Sequence, residues 1–280
     1  MSDPLTQLRT ACAEVAGRAR HVSIARGEIE RYAESLPLAA IPSGPDPKAH
    51  LVTGTREELA AFWLALDAIN FGSGWFPTLR KRRGRSGYFT IASALGQDPG
   101  HELMGLFAAS LRDLGGHVLG EYGGQFAALV DNAGPSAVSL VAQLATWRCF
   151  EDTSRYGDIE VPFLKRAQIA AADLTLARVA AFADLERLTI FADNLVPHVL
   201  RLDGVLVFEP GLVKRIERGQ LSEHDSPEEI EMRACAVHAV ELIAAHAKRP
   251  AAELDRLLWQ RGQHPRYKSR PRHRSRSTAY

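Results

Sequence analysis

The 280-residue sequence is short of several things, and each absence removes a class of function. Its three cysteines, Cys12, Cys149 and Cys235, are odd in number, far apart and without CxxC spacing, so neither a disulfide framework nor a zinc site is signalled. A reducing cytoplasm is the expected compartment. Residues 1–8 have no basic start followed by an apolar core, and no run of about 18 or more apolar residues occurs, so a protein neither exported nor membrane-spanning is expected. The glycine-rich stretch 115–124 lacks both GxGxxG and GxxxxGK[ST] spacing; no phosphate loop is assigned, and the stretch reads as a connection. No internal repeat is visible. No linker longer than a turn or loop divides the chain, which reads as one domain over residues 1–280 with a basic C-terminal segment at 263–280.

What is present is ordinary for a globular protein, with 46% hydrophobic and 24% charged residues and a net charge of +1. The charge is unevenly placed. Residues 263–280 carry six Lys or Arg and no acid, so subtracting the tail's six cations leaves −5 on the rest. That balance argues against global attraction to nucleic acid. Arg80-Lys81-Arg82-Arg83-Gly84-Arg85 is the densest internal basic cluster; it reads as a solvated turn, or as a phosphate-facing element whose neighbours Trp75 and Tyr88 hold a base.

Helical signals dominate. Asp3-Pro4 opens a first helix to about Arg18 with Leu5, Leu8, Cys12 and Val15 on one face, and 21–35 reads as a second. Thr55-Arg56-Glu57-Glu58 is a capping box before an almost wholly apolar, hence central, helix. Asp98-Pro99 reads as the cap of another, Gly134-Pro135 as a break between two more, Glu160-Val161-Pro162-Phe163 as a short extended piece, and 164–185 as a long helix. Ser226-Pro227-Glu228-Glu229 combines cap, proline and capping glutamate, and Leu254, Leu257, Leu258 and Trp259 mark a last helix. The total is a mainly α fold of roughly ten helices.

Polar residues interrupt these apolar segments at a few places, as a pocket assembled from several helices would require. Asp67 and Asn70 lie three apart at the end of a buried helix, and Phe71-Gly72-Ser73-Gly74-Trp75-Phe76-Pro77 follows, either a core loop or a stacking surface for a flat ring. Lys165 and Gln168 share a helix face. Asp193-Asn194 interrupts the apolar run 188–206, where Asp193 is either a helix cap or a carboxylate held in a low-dielectric site for catalysis. Glu231, Cys235 and His238 share a face too, but zinc sites seldom draw every ligand from one helix, and no metal is assigned.

Taken in order, these stretches resemble one family. Asp67-Ala68-Ile69-Asn70-Phe71 with Trp75, Ser86-Gly87-Tyr88, Phe163-Leu164-Lys165-Arg166-Ala167-Gln168, Phe191-Ala192-Asp193, Val196-Pro197-His198, Glu229-Ile230-Glu231-Met232-Arg233, Leu258-Trp259 and the terminal His273-Arg274-Ser275-Arg276 with Tyr280 are similar to the queuosine salvage proteins, which are queuosine 5′-phosphate N-glycosylases. The resemblance implies a cytoplasmic helical enzyme with an architecture similar to helical DNA glycosylases. It implies release of queuine and ribose 5-phosphate from queuosine 5′-monophosphate, without metal or cofactor. On the same resemblance, Asp193 takes the place of the catalytic carboxylate and Lys165 that of the KRAQ lysine. NFGSGWF carries extra glycines relative to the compact box of many members, and Asn194 stands where eukaryotic members usually have Tyr, so His198 takes over that contact or the contact differs.

Such a reaction would pass through an oxocarbenium-like state that Asp193 stabilises or attacks. Lys165 would pair with Asp193 or hold a ribose or phosphate oxygen. Asp67 and Glu231 are candidates for the donor edge of the base, Phe71 or Trp75 for stacking, and Arg201, Arg233, Arg274 or Arg276 for the phosphate. Asn70, Tyr88, Asn194, His198 and His238 complete the candidate substrate contacts. The alternatives are a non-enzymatic tRNA or nucleic-acid binder and a glycosylase acting on a polymer, both disfavoured by the charge of −5; no stable nucleic-acid complex and no membrane partner is expected. The tail is disordered on composition, whereas the resemblance implies a docked segment with Arg274 and Arg276 on one side.

Overall fold

Three stretches, residues 3–47, 50–79 and 95–280, are described by the computed structural model. They form a mainly α fold of twelve helices with two small antiparallel sheets. Helix α1 (Pro4–Arg18) starts where the Asp3 carboxylate accepts the amides of Leu5 and Thr6, and it buries Leu5, Leu8, Cys12 and Val15. Full burial of one such leucine is worth about 2 kcal/mol. The expected capping box is formed at Thr55 and Glu58, opening α3 (Arg56–Ala68).

The second expected helix is half strand. Val22–Ile24 (β1) pairs with Leu206–Phe208 (β4), and the helix is confined to a 3-10 turn at Arg26–Glu28 followed by Ile29–Ser35 (α2). The pairing partner lies about 180 residues away, so no local signal announces it. Stretch 115–124 is not a connection. It lies in α4 (Glu102–Tyr122), where Leu103, Met104, Phe107, Ser110, Leu114 and Val118 are buried at helical spacing and packing outweighs the weak helix propensity of glycine. Gly123 takes the left-handed conformation that ends it, with φ 62°. Its cap is His101, whose ring accepts the Leu103 amide, rather than Asp98-Pro99.

After α5 (Phe126–Asn132) and α6 (Ala137–Leu144), the hairpin β2 (Thr153–Tyr156) and β3 (Ile159–Pro162) turns at Gly157. It delivers the chain to α7 (Lys165–Leu176), which stops well before 185 because Arg178 adopts φ 59°. Helices α8 (Val196–Leu202) and α9 (Pro210–Glu217) flank β4. Helix α10 (Pro227–Ala247) is apolar nearly all round, packs against α1 and α2, and occupies the centre; α11 (Ala251–Gly262) and the short α12 (Pro265–Lys268) follow. Among the described residues no helix is long and apolar enough to cross a membrane.

Beyond α12 the chain is extended and laid against the helices. His273, Ser275, Ser277 and Ala279 are buried while Arg272, Arg274 and Arg276 alternate with them outward. The segment is held by hydrogen bonds from the Ser222 amide to the Arg274 carbonyl (2.9 Å), from the Ser275 hydroxyl to the Ser222 carbonyl (2.9 Å), and from Arg166 to the Ala279 carbonyl (3.1 Å). Gly74 makes room for it. A Cβ there would lie 2.4 Å from the Ser275 carbonyl oxygen, so backbone would have to move. Gly74→Ala is therefore expected to loosen the segment: limited proteolysis should cut within 268–280 earlier than in the wild type, and the melting temperature should fall.

Candidate active site

Burial next to a backbone break is what sets up the first functional side chain. Lys165 is the first residue of α7 and only 4% exposed. Leu164 before it is left-handed (φ 52°), a conformation that costs about 1 kcal/mol or more for a leucine. Asp152 holds this corner: its carbonyl accepts the Leu164 amide (3.1 Å) and its carboxylate accepts the Lys165 amide (2.9 Å). The Lys165 ammonium donates to the Asn70 carbonyl (2.8 Å) and side-chain oxygen (3.2 Å). Burial lowers the lysine to about 8, a fall that Asp193, Asp67 and Asp152 oppose. The group therefore titrates near physiological pH.

Asp193 caps a helix start and also borders a cavity. Its Oδ1 accepts the amides of Leu195 (2.7 Å) and Val196 (3.1 Å), capping the start of α8, while Oδ2 has no hydrogen-bond partner among the described residues. The residue is half-buried on the wall of a cavity of about 870 Å³ that Lys165 also lines. Such a volume suits a nucleotide-sized ligand. Gln168 ties the two elements together, since its side chain accepts the Thr189 amide (2.9 Å) and donates to the Phe163 carbonyl (3.0 Å).

Of the residues singled out from sequence, Asn70, Phe71, Lys165, Asp193, Asn194, His198 and Arg274 lie on this cavity. Asn194 donates to the Ser73 hydroxyl (2.7 Å). The His198 ring bonds the Tyr267 carbonyl through Nε2, and burial depresses it to about 4, so it is neutral at physiological pH and is no proton donor as an imidazolium. Asp67 stands behind Lys165, fully buried, with neither oxygen hydrogen-bonded among the described residues; burial and Asp173 raise its carboxyl well above the usual range.

Others are brought elsewhere. Trp75 is buried in a small cluster with Phe71, Leu103, Met104 and Phe107, and its indole donates to Glu102 (2.7 Å). Arg276 sits over that indole and 3.6 Å from Glu102. Arg201 donates to the Pro271 carbonyl (3.3 Å), and His238 lies against Arg26 (3.5 Å). Glu231 accepts the amides of Arg20, His21 and Val22 and the Tyr156 hydroxyl, which uses both its oxygens for the chain turn into β1. Arg233 is fully buried against Asp152. Tyr88 and the basic cluster at 80–85 lie outside the described residues.

Sequence reasoning passed over Arg272 and Trp259, both on the cavity. Arg272 is partly buried and close enough to Asp193 for that carboxylate to oppose the lowering of its pKa by burial. The every-second-residue alternation that pointed to Arg274 and Arg276 also contains Arg272. Of that series, Arg270, Arg272 and Arg274 line the cavity, whereas Glu102 and Trp75 draw Arg276 away. Trp259, 51% exposed, also lines the cavity.

Comparison with known proteins converges on the same segments. A family model described as queuosine salvage protein matches residues 101–280. The queuosine 5′-phosphate N-glycosylase/hydrolase of Sphaerobacter thermophilus is 32% identical over 324 residues, an alignment covering 100% of both chains. Relatives of the same name from Schizosaccharomyces pombe and Mus musculus are 33% identical over 157 residues and 30% identical over 138 residues. Those alignments cover 53% and 48% of this chain, and 45% and 41% of the relatives. With the family model spanning well over half of the chain and a relative aligned along all of it, the chain belongs to the queuosine salvage protein family.

Proposed function

We propose that this protein hydrolyses the N-glycosidic bond of queuosine 5′-monophosphate, releasing queuine and ribose 5-phosphate. The observation that carries the reading is a carboxylate on the wall of a nucleotide-sized cavity, with one oxygen fixed by two backbone amides and the other without a partner among the described residues, next to a buried lysine. Membership of the family and the name of its full-length relative from Sphaerobacter thermophilus supply the substrate.

In the reaction the bond between C1′ and the base nitrogen breaks, its electron pair leaves with the base, the hydroxyl of a water molecule ends on C1′, and the water's remaining proton ends on the base. Positive charge develops on the sugar ring, and the unpartnered Oδ2 of Asp193 faces it as a stabilising charge or as the attacking atom. The base leaves without an N7 to protonate, so stabilisation of the sugar carries more of the barrier. Lys165, protonated below about 8, balances Asp193 and grips a sugar or phosphate oxygen. Arg272 and Arg274, which line the same cavity, take the phosphate, for which a planar guanidinium fork is well shaped.

Three results are expected. Asp193→Asn should keep the fold, because asparagine caps a helix about as well as aspartate, yet lower kcat by about 10³-fold, of the order seen when one preorganised stabilising group is removed. Release of queuine measured by mass spectrometry, beside the melting temperature, checks it; wild-type turnover in this variant would leave Asp193 as a cap alone. The alkaline limb of the kcat/KM profile should fall through about 8, since activity needs the Lys165 ammonium, which is present below that value and lost above it. Arg272→Ala should raise KM for the monophosphate by about 10- to 100-fold, the equivalent of one charge-assisted hydrogen bond, while changing kinetics on the unphosphorylated nucleoside far less.

A further inference from the structure

We infer that Asp152 and Arg233 are positioning residues that hold Lys165 and Asp193 in register, an inference that rests on reading those two as the reacting pair. Neither lies on the substrate cavity; Asp152 borders a separate cavity behind the extended C-terminal segment. Arg233 is fully buried, and its Nη2 donates to both carboxylate oxygens of Asp152 (2.8 and 2.7 Å). Its Nε donates to the carbonyl of Ala192 (2.9 Å), the residue before Asp193. The same Asp152 carboxylate accepts the Lys165 amide (2.9 Å), and the Asp152 carbonyl accepts the amide of strained Leu164.

One ion pair therefore grips the backbone at both reacting residues, from the side away from substrate. The segment before Asp193 is fixed as well, by the Asp255 carboxylate oxygen that accepts the Phe191 amide (2.9 Å). The Phe163 and Tyr280 rings, 3.8 and 4.3 Å from the Arg233 guanidinium carbon, confine it. With its fork bonded in two directions, Arg233 has a task that lysine cannot copy.

Asp152 also acts on Lys165 through its charge. The groups that face the ammonium are the carboxyls of Asp67, Asp152, Asp173, Asp193 and Asp255 and the guanidinium of Arg166. Taking the charge from Asp152 removes one of the influences that hold the lysine up, so Lys165 would titrate below about 8.

The test compares full-length wild type, Asp152→Asn, Arg233→Lys and Glu57→Gln on queuosine 5′-monophosphate. Glu57 is the control: its carboxylate accepts the amides of Phe126 and Ala127, so its loss destabilises a helix start remote from the cavity. Asp152→Asn and Arg233→Lys are expected to lower kcat by about 10²-fold with KM within about threefold, the signature of misplaced reacting groups. In Asp152→Asn the alkaline limb should move below about 8. Glu57→Gln should lower the melting temperature and leave kcat and the limb where they were. If Asp152→Asn does not fold, Arg233→Lys carries the kinetic test. Kcat within about twofold of wild type in the folded variants, or a kcat loss in Glu57→Gln equal to theirs at equal destabilisation, overturns the inference. Titration of the Lys165 ε-carbon by NMR in wild type and Asp152→Asn is independent of substrate. An unchanged midpoint there overturns the inference, whereas a wild type that fails to cleave the nucleotide while the midpoint still shifts overturns only the proposed substrate.

Discussion

A guanidinium with no access to water is the constraint on which much of this structure depends. Taking an arginine out of water costs several kcal/mol unless charge and hydrogen bonds replace the lost hydration. For Arg233 the Asp152 carboxylate and the Ala192 carbonyl supply hydrogen bonds, and the Glu229 carboxylate, 3.7 Å from Nη1, supplies opposite charge. Arg166 repeats the device without a carboxylate, satisfied by the carbonyls of Ala68, Cys149, Glu151 and Ala279. Together the two arginines draw the end of α3, the approach to β2, the strand before α8 and the C-terminal segment to one centre. Apolar packing alone has no comparable power to select one arrangement of irregular chain.

Much of the helical frame was legible because capping chemistry is local. Asp3, Thr55 and Ser226 each sit within a few residues of the amides they satisfy, so a reader of the sequence sees donor and acceptor together. The misread stretches are those decided at a distance. Val22–Ile24 is a strand because of residues 206–208, and Gly115, Gly116 and Gly120 are helical because Leu114 and Val118 beside them are buried. Within the site, Asp193 and Lys165 were visible as polar residues set in apolar runs. The assignment of arginines was not, since all have the same chemistry and only the fold says which is walled in by Asp152, which is drawn to Glu102 and which reaches the cavity.

The cavity is also divided unevenly between kinds of evidence. Lys165, Asp193, His198, Trp259 and Arg272 fall inside the range matched by the family model, whereas Asn70, Phe71 and Ser73 precede it and are covered by the full-length alignment. Yet Asn70 receives the Lys165 ammonium and Ser73 the Asn194 amide. The wall formed by residues 70–73 is thus tied by polar contacts to the half of the chain in which the family signal is strongest.

That the C-terminal segment lies as an extended strip across Gly74 and Ser222, rather than as another helix, has a consequence for how the molecule comes into being. Its contacts join residues about 50 to 200 positions apart, so the loop-closure entropy is met only after the helices have packed. During synthesis, α1 to α10 can meet one another before residues 268–274 leave the ribosome, and at that stage the cavity lacks the wall carrying Arg272 and Arg274. Docking only on packed helices, the strip makes ligand binding a report on their packing.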